Sequence, residues 1–216
     1  SLENPFRGIL GDAATIWTNV FESDDAHGEH DLIAFTEDVC LVVEAKASPV
    51  SEPLRDPYRA FPRLRDEFRR STGIQGAYEQ ANKIVSQLRQ GVSVDLFTRT
   101  GIKIGNLLPS NRQRIFSVCV TRDNFGPRGT NLALLLDRQD DSPYPWVINI
   151  FDLQSVSDAW RYLGWTSEHL SRFLEQRVGL HGTVFSDDEL DFLGYYIRHD
   201  GFERISRLEA DLVQLS

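Results

Sequence analysis

The sequence has no apolar run long enough to cross a bilayer. Its longest such runs, Val39–Val43 and Leu132–Leu136, are strand-sized, whereas a membrane helix needs about 20 residues. No charged segment followed by an apolar stretch stands at its start, so no secretory signal is visible. A cytoplasmic location with no membrane partner is the expectation. Cysteine is scarce: Cys40 and Cys119 are the only two, each inside an apolar strand-like run. That excludes a disulfide framework and suggests buried free thiols in a reducing compartment. Methionine is absent and the first residue is Ser1, so position 1 reads as an added residue or an internal cut. There is no internal repeat and no low-complexity tract. Positive charge is also in deficit. Lys and Arg number 23 against 32 Asp and Glu, a formal charge of −9, which argues against tight non-specific duplex binding, because phosphate contacts dominate that affinity. A local basic groove is still compatible with this total.

What is present suffices for a real core. A chain of 216 residues, 41% hydrophobic, reads as one domain with room for an appendage. Thr15–Glu22, His30–Thr36 and Val39–Ala47 read as strands, the last two forming a hairpin across Glu37-Asp38. Ser48–Arg70 holds four prolines and many arginines and reads as a long excursion, with a short helix near Arg63–Arg70. The clearest helix is Gly73–Gln90, where Ile74, Ala77, Tyr78, Ala81, Ile84, Val85 and Leu88 form an apolar stripe. Thr72 and Gln75 suggest a capping box at its start, and Gly91 a stop. Arg114–Val120, Leu132–Leu136 and Trp146–Phe151 read as further strands. Helices are expected at Ser167–Val178, at Ser186–Arg198 with Ser186 and Glu189 as a capping box, and at Arg204–Leu215. The order of strands, helix, strands and then helices predicts an α/β fold: a mixed central sheet flanked by helices with a C-terminal helical extension. The division expected is residues 1–153 for the core and 154–216 for the extension.

Chemistry concentrates between Glu29 and Ala47. Residues i and i+2 of a strand share a face, so Glu44 and Lys46 point the same way, and both sit in an apolar run where a charged pair needs a reason. Asp31 opens the partner strand of the hairpin, which would bring its carboxylate beside that of Glu44. Two converging carboxylates make an oxygen-rich site suited to Mg²⁺ or Mn²⁺. A lysine beside them would orient a water, help deprotonate it, or steady charge on a phosphate.

These residues resemble the PD-(D/E)XK nuclease superfamily, within it the nuclease-related (NERD-like) and restriction-endonuclease-like branches. The matching pieces are Glu29-His30-Asp31 before an apolar strand, Val42-Val43-Glu44-Ala45-Lys46 on the next, and a Gln-bearing helix over Gly73–Ala81. The resemblance covers roughly Thr15 to Val120. It implies a Mg²⁺- or Mn²⁺-dependent phosphodiesterase acting on nucleic acid, DNA ahead of RNA. Asp31, Glu44 and the backbone carbonyl of Ala45 would hold the metal, Lys46 would serve the attacking water, and Gln80 would touch the site. The family's first helix, which carries a Glu near the site, has no convincing counterpart in Leu2–Asp12 and is expected upstream.

Other signals carry plainer readings. His27-x-x-His30 beside Asp31 has weak zinc spacing with no cysteine nearby, and His30 is more simply a lining residue of the metal pocket. His169, His181 and His199 read as surface or helix-cap residues. Arg55, Arg59, Arg63, Arg65, Arg69 and Arg70 form either a solvated, salt-bridged surface or a phosphate-gripping flap. Asp187, Asp188, Glu189 and Asp191 read as charges opposing a helix dipole. Two rival functions stand beside the nuclease: a nuclease-like domain without catalysis that binds nucleic acid or protein, and a hydrolase of small phosphoesters. A homo-oligomer is compatible with each.

Overall fold

Residues 39–44 are all buried, and they form the middle of the molecule. In the computed structural model, which describes residues 2–47, 49, 56–138 and 142–205, seven strands make one sheet. They are β1 (Thr15–Phe21), β2 (Glu29–Phe35), β3 (Val39–Lys46), β4 (Val94–Phe97), β5 (Lys103–Leu107), β6 (Arg114–Thr121) and β7 (Trp146–Asn149), in the order β5-β4-β1-β2-β3-β6-β7. The segment β5-β4-β1-β2-β3 is antiparallel, and β3, β6 and β7 run parallel. The fold is therefore α/β with a mixed sheet flanked by helices, and helices close the C-terminal side. A strand with neighbours on both edges and helices over both faces must be apolar nearly throughout, and Val39–Val43 is.

One face carries the helix α3 (Ile74–Arg89), whose Ala81, Ile84, Val85 and Leu88 pack on Ile33, Cys40 and Val42. The other face is covered by α1 (Glu3–Leu10), α5 (Ile150–Leu163), α6 (Ser167–Val178) and α7 (Glu189–His199). Its centre is aromatic. Phe173 meets Trp160, Trp146 and Tyr196 edge-on at centroid distances of 5.8, 6.1 and 5.1 Å, the geometry that ring quadrupoles prefer. Two further helices, α2 (Pro57–Arg69) and α4 (Pro127–Thr130), follow β3 and β6. No helix among the described residues is long and apolar enough to cross a membrane. Both cysteines are free and buried.

Several local expectations are revised. Leu132–Leu136 forms turns rather than a strand, and Leu132, Leu135 and Leu136 plug the space beside Tyr78 and Phe68. The helix expected near Arg63–Arg70 begins earlier and is 13 residues long. The capping box of Thr72 and Gln75 does not form: Gly73 is the N-cap, with no side-chain cap. Gln75 instead grips the backbone of Asp137, donating to its carbonyl at 2.9 Å and accepting from its N–H at 2.8 Å. The cap of α7 is Asp188, which accepts from the Leu190 N–H at 2.8 Å, because the carboxylate one residue before the helix reaches its free N–H groups more directly than Ser186 does. Strand β7 stops at Asn149, whose side chain caps α5. Strands β4 and β5 were not anticipated. The amphipathic stretch expected at Arg204–Leu215 lies, past Ile205, outside the described residues.

Candidate metal centre

Where three parallel strands end side by side, their last residues form a row. Lys46 is paired with Thr121, and Thr121 with Asn149. In open α/β sheets this carboxyl edge is where ligands bind. The antiparallel partner β2 arrives from the other side. Its ladder with β3 runs from Phe35–Cys40 to Leu32–Val43 and then stops. The next residues across the gap are Asp31 and Glu44, the two predicted carboxylates.

At this point the alternation of β2 breaks. Asn19 of β1 adopts a left-handed conformation with φ 49°, which asparagine tolerates better than most residues. Trp17 and Val20, three residues apart, both face α3 as a result, where strict alternation would separate them. The register sets Val20 against His30 and Trp17 against Ile33. Directly paired residues share a face, so β2 shifts phase as well. His30, not Asp31, is delivered to the face that carries Glu44.

The contacts follow from that shift. His30 and Glu44 are fully buried, with His30 Nδ1 2.6 Å from Glu44 Oε1. The other ring nitrogen, Nε2, lies 2.9 Å from Oε1 of Glu22, just past the end of β1. Burial alone would push the imidazole pKa down, but the hydrogen bonds and charges of Glu22 and Glu44 outweigh it and raise it to about 9. Both ring nitrogens therefore donate, one to each carboxylate. Burial raises the Glu44 pKa, the His30 and Lys46 charges oppose that rise, and the Asp31 charge adds to it. Glu44 Oε2 is buried and has no hydrogen-bond partner.

Asp31 takes the place of the missing ladder bond, its Oδ2 accepting from the Ala45 N–H at 2.7 Å. In an extended strand the N–H and C=O of one residue point to the same side, so the Ala45 carbonyl looks into the same gap. Lys46 Nζ donates to Gln80 Oε1 on α3 at 3.3 Å, and the Gln80 amide in turn donates to the Glu29 carbonyl. The structure thus brings Asp31, Glu44, Ala45, Lys46 and Gln80 to one place. It adds His30 as a direct partner of Glu44 and Glu22 behind it. Glu22 was not singled out in the sequence. Its only signal there is an acid at the end of a strand.

The oxygens gathered here are the Asp31 carboxylate, the unpartnered Oε2 of Glu44 and the Ala45 backbone carbonyl. That set suits a hard divalent cation, and an orphaned buried oxygen is what such an ion would satisfy. Among the described residues no three His, Cys, Asp or Glu side chains form a metal-holding group. The zinc spacing leads nowhere. His27 is exposed and leans on Asp25, while His30 points inward between its two carboxylates.

Elsewhere, four of the flap arginines are already engaged, Arg59 with Asp56 at 3.7 Å among them. Arg63 pairs with Glu67 at 3.1 Å, Arg65 with Asp66 at 3.5 Å, and Arg69 donates to the Leu135 carbonyl at 3.0 Å. Arg55 lies outside the described residues. His169 completes the cap of α6, as expected. His181 does not sit at the surface. It is buried, it accepts from the Leu132 N–H at 3.1 Å, and burial with the nearby Arg177 charge lowers its pKa to about 3. Glu189 stands in the first turn of α7, as expected, and is in addition buried against Arg177.

No protein-family model matches the chain, and no curated protein and no solved structure matches it.

Proposed function

We propose that this protein hydrolyses phosphodiester bonds in nucleic acid, DNA ahead of RNA, with Mg²⁺ or Mn²⁺ held by Asp31, Glu44 Oε2 and the Ala45 carbonyl. The observation that carries the reading is Glu44 itself: a fully buried carboxylate with one oxygen bonded and the other orphaned, beside Asp31 and on the strand face of Lys46. A bound divalent ion supplies charge for a phosphoryl oxygen and lowers the pKa of a water.

The chain's own residues do the rest. Asp31 and the Ala45 backbone hold the open end of the β2–β3 hairpin together. Gln80 holds the Lys46 ammonium at the mouth of the gap, where it attracts a phosphate and steadies the charge that grows on it during attack. His30 sets a positive charge against Glu44 and opposes the rise in its pKa that burial causes. The low positive charge of the chain as a whole fits a substrate that is cut and released rather than held.

A second reading rests on a specific fact. Asp31 and one oxygen of Glu44 are already satisfied by protein donors, as they would be in a nuclease-like binding module that has no use for a metal. Calorimetry separates the two. The nuclease reading expects Mn²⁺ or Mg²⁺ to bind and Asp31→Asn to weaken binding at least several-fold. It also expects wild type to cut at least one of linear, nicked or single-stranded DNA, or RNA. Equal metal affinity in both proteins, with every substrate intact, would leave the binding module.

A further inference from the structure

The metal reading leaves a second question open: what makes Glu44 present one oxygen rather than two. The answer lies in the chain Glu22–His30–Glu44. The His30 ring is fully buried and held at both nitrogens, 2.6 Å from Glu44 Oε1 and 2.9 Å from Glu22 Oε1. Two fixed points on a rigid ring set its orientation, so the ring cannot swing away from Glu44. Glu44 Oε1 is thereby occupied and Oε2 is left without a donor. We infer that His30, braced by Glu22, is a positioning residue that restricts Glu44 to one-oxygen ligation and so selects Mg²⁺ and Mn²⁺ against Ca²⁺.

The inference rests on the metal site proposed above. Its chemistry is general. Mg²⁺ demands near-octahedral coordination at about 2.0–2.1 Å, and a carboxylate normally offers it one oxygen. Ca²⁺ is larger, takes about 6–8 oxygens and accepts a carboxylate through both. A Glu44 whose Oε1 is tied cannot supply the second oxygen. With the tie cut, the same side chain becomes a two-oxygen ligand, and the balance moves toward Ca²⁺. Glu22 acts by holding the ring.

The test measures Mg²⁺, Mn²⁺ and Ca²⁺ affinity by calorimetry on the full chain, as wild type, His30→Ala, His30→Asn and Glu22→Ala. The readout is the Mg²⁺ to Ca²⁺ affinity ratio, which a loss of stability alone does not move. Loss of a partner that orients a metal ligand commonly costs about 10–100-fold in affinity. In His30→Ala, Mg²⁺ affinity is expected to fall by that order while Ca²⁺ affinity falls much less or rises. His30→Asn places an amide nitrogen near the position of Nδ1 and is expected to restore most of the ratio. Glu22 is partly exposed, so Glu22→Ala answers the question even where His30→Ala fails to fold, and is expected to move the ratio the same way by less. A ratio equal to wild type in Glu22→Ala and in every folded His30 variant overturns the inference and leaves the metal site standing. A wild-type protein that binds none of the three cations overturns both.

Discussion

His30 and Glu44 face each other 2.6 Å apart with neither side chain exposed. A buried ion pair is worth keeping only while both members are charged, since removing one partner leaves a buried charge uncompensated. That links the stability of the fold to pH through a site that also carries the proposed chemistry.

The direction of the linkage follows from the histidine. Its pKa is raised from 6.5 to about 9, so the folded protein holds a proton there that the unfolded chain has lost. The stabilisation is fully present below about pH 6.5 and is lost as pH rises through about 9. Between these limits the unfolding free energy should fall with pH by on the order of 1 kcal/mol per unit. Urea unfolding of the metal-free protein at pH 6, 7.5 and 9 measures it. In Glu22→Gln, which removes one of the two raising charges, the loss should still begin near pH 6.5 but be complete at a lower pH, with a smaller total. A wild-type profile that is flat from pH 6 to 9 would show that His30 does not carry the charge.

A second buried pair tests the packing of the C-terminal helices. Arg177 on α6 donates through Nε to Glu189 Oε2 at 3.1 Å, Trp146 Nε1 donates to the same oxygen at 3.1 Å, and Arg177 also donates to the Thr130 carbonyl at 2.7 Å. The guanidinium lies 3.8 Å from the Phe192 ring centroid. Glu189→Ala leaves that cation buried alone and should cost about 3–5 kcal/mol. The double variant Arg177→Met with Glu189→Leu removes both charges and should cost less than Glu189→Ala alone, though Trp146 Nε1 and the Thr130 carbonyl lose a partner. Denaturant midpoints of the three proteins decide it. A double variant less stable than the single one would mean that the pair contributes through more than its mutual charge.

Gly76 gives a prediction opposite in sign to helix propensity. Ala in place of Gly inside a helix normally stabilises by roughly 0.5–1 kcal/mol. Here a Cβ would lie 2.0 Å from the Ser71 carbonyl oxygen, which is backbone and has little room to yield. Gly76→Ala should therefore destabilise, by about 1–3 kcal/mol as overpacking does. A raised melting temperature would show that the turn before α3 shifts freely.

The residues that were legible beforehand share a property: their signal is local. Glu44 and Lys46 stand out because two charges at i and i+2 interrupt an apolar strand. The α3 stripe stands out because seven apolar residues keep a 3.6-residue period. What could not be read depends on contacts between distant segments. The pairing of His30 with Glu44 needs the phase shift at Asn19, and an alternating pattern carries no mark of a single left-handed residue on the neighbouring strand. Glu22 joins the site only because β1 lies beside β2. The burial of Glu189 leaves no mark in the sequence because its partner Arg177 comes from another helix. Strands β4 and β5 are short and half exposed, with Asp95, Lys103 and Asn106 bonded to one another on their surface, so their hydrophobic alternation is weak.

The last prediction concerns Lys46 and the glutamine that holds it. Lys46 Nζ is 3.3 Å from Gln80 Oε1, and Glu44 feels its charge. Lys46→Ala leaves both carboxylates and the Ala45 carbonyl in place. Metal affinity should then be unchanged or higher, because a competing cation is gone. Catalysis should fall by about 10²–10⁴-fold, the usual loss for one positioned acid–base or electrostatic group. Gln80 acts only through the lysine, so Gln80→Ala should cost far less, roughly the fivefold worth of one hydrogen bond of about 1 kcal/mol. Its effect should vanish in the Lys46→Ala background, where nothing is left to position. The measurement is single-turnover cleavage of whichever DNA or RNA wild type cuts fastest, in Mg²⁺ and in Mn²⁺, for the two single variants and the double. Equal rates in wild type and Lys46→Ala would remove the lysine from the mechanism and point to another site as the source of the activity. A Gln80→Ala loss that persists undiminished without Lys46 would mean that the glutamine works through the Glu29 backbone instead, by holding the start of β2 beside the metal gap.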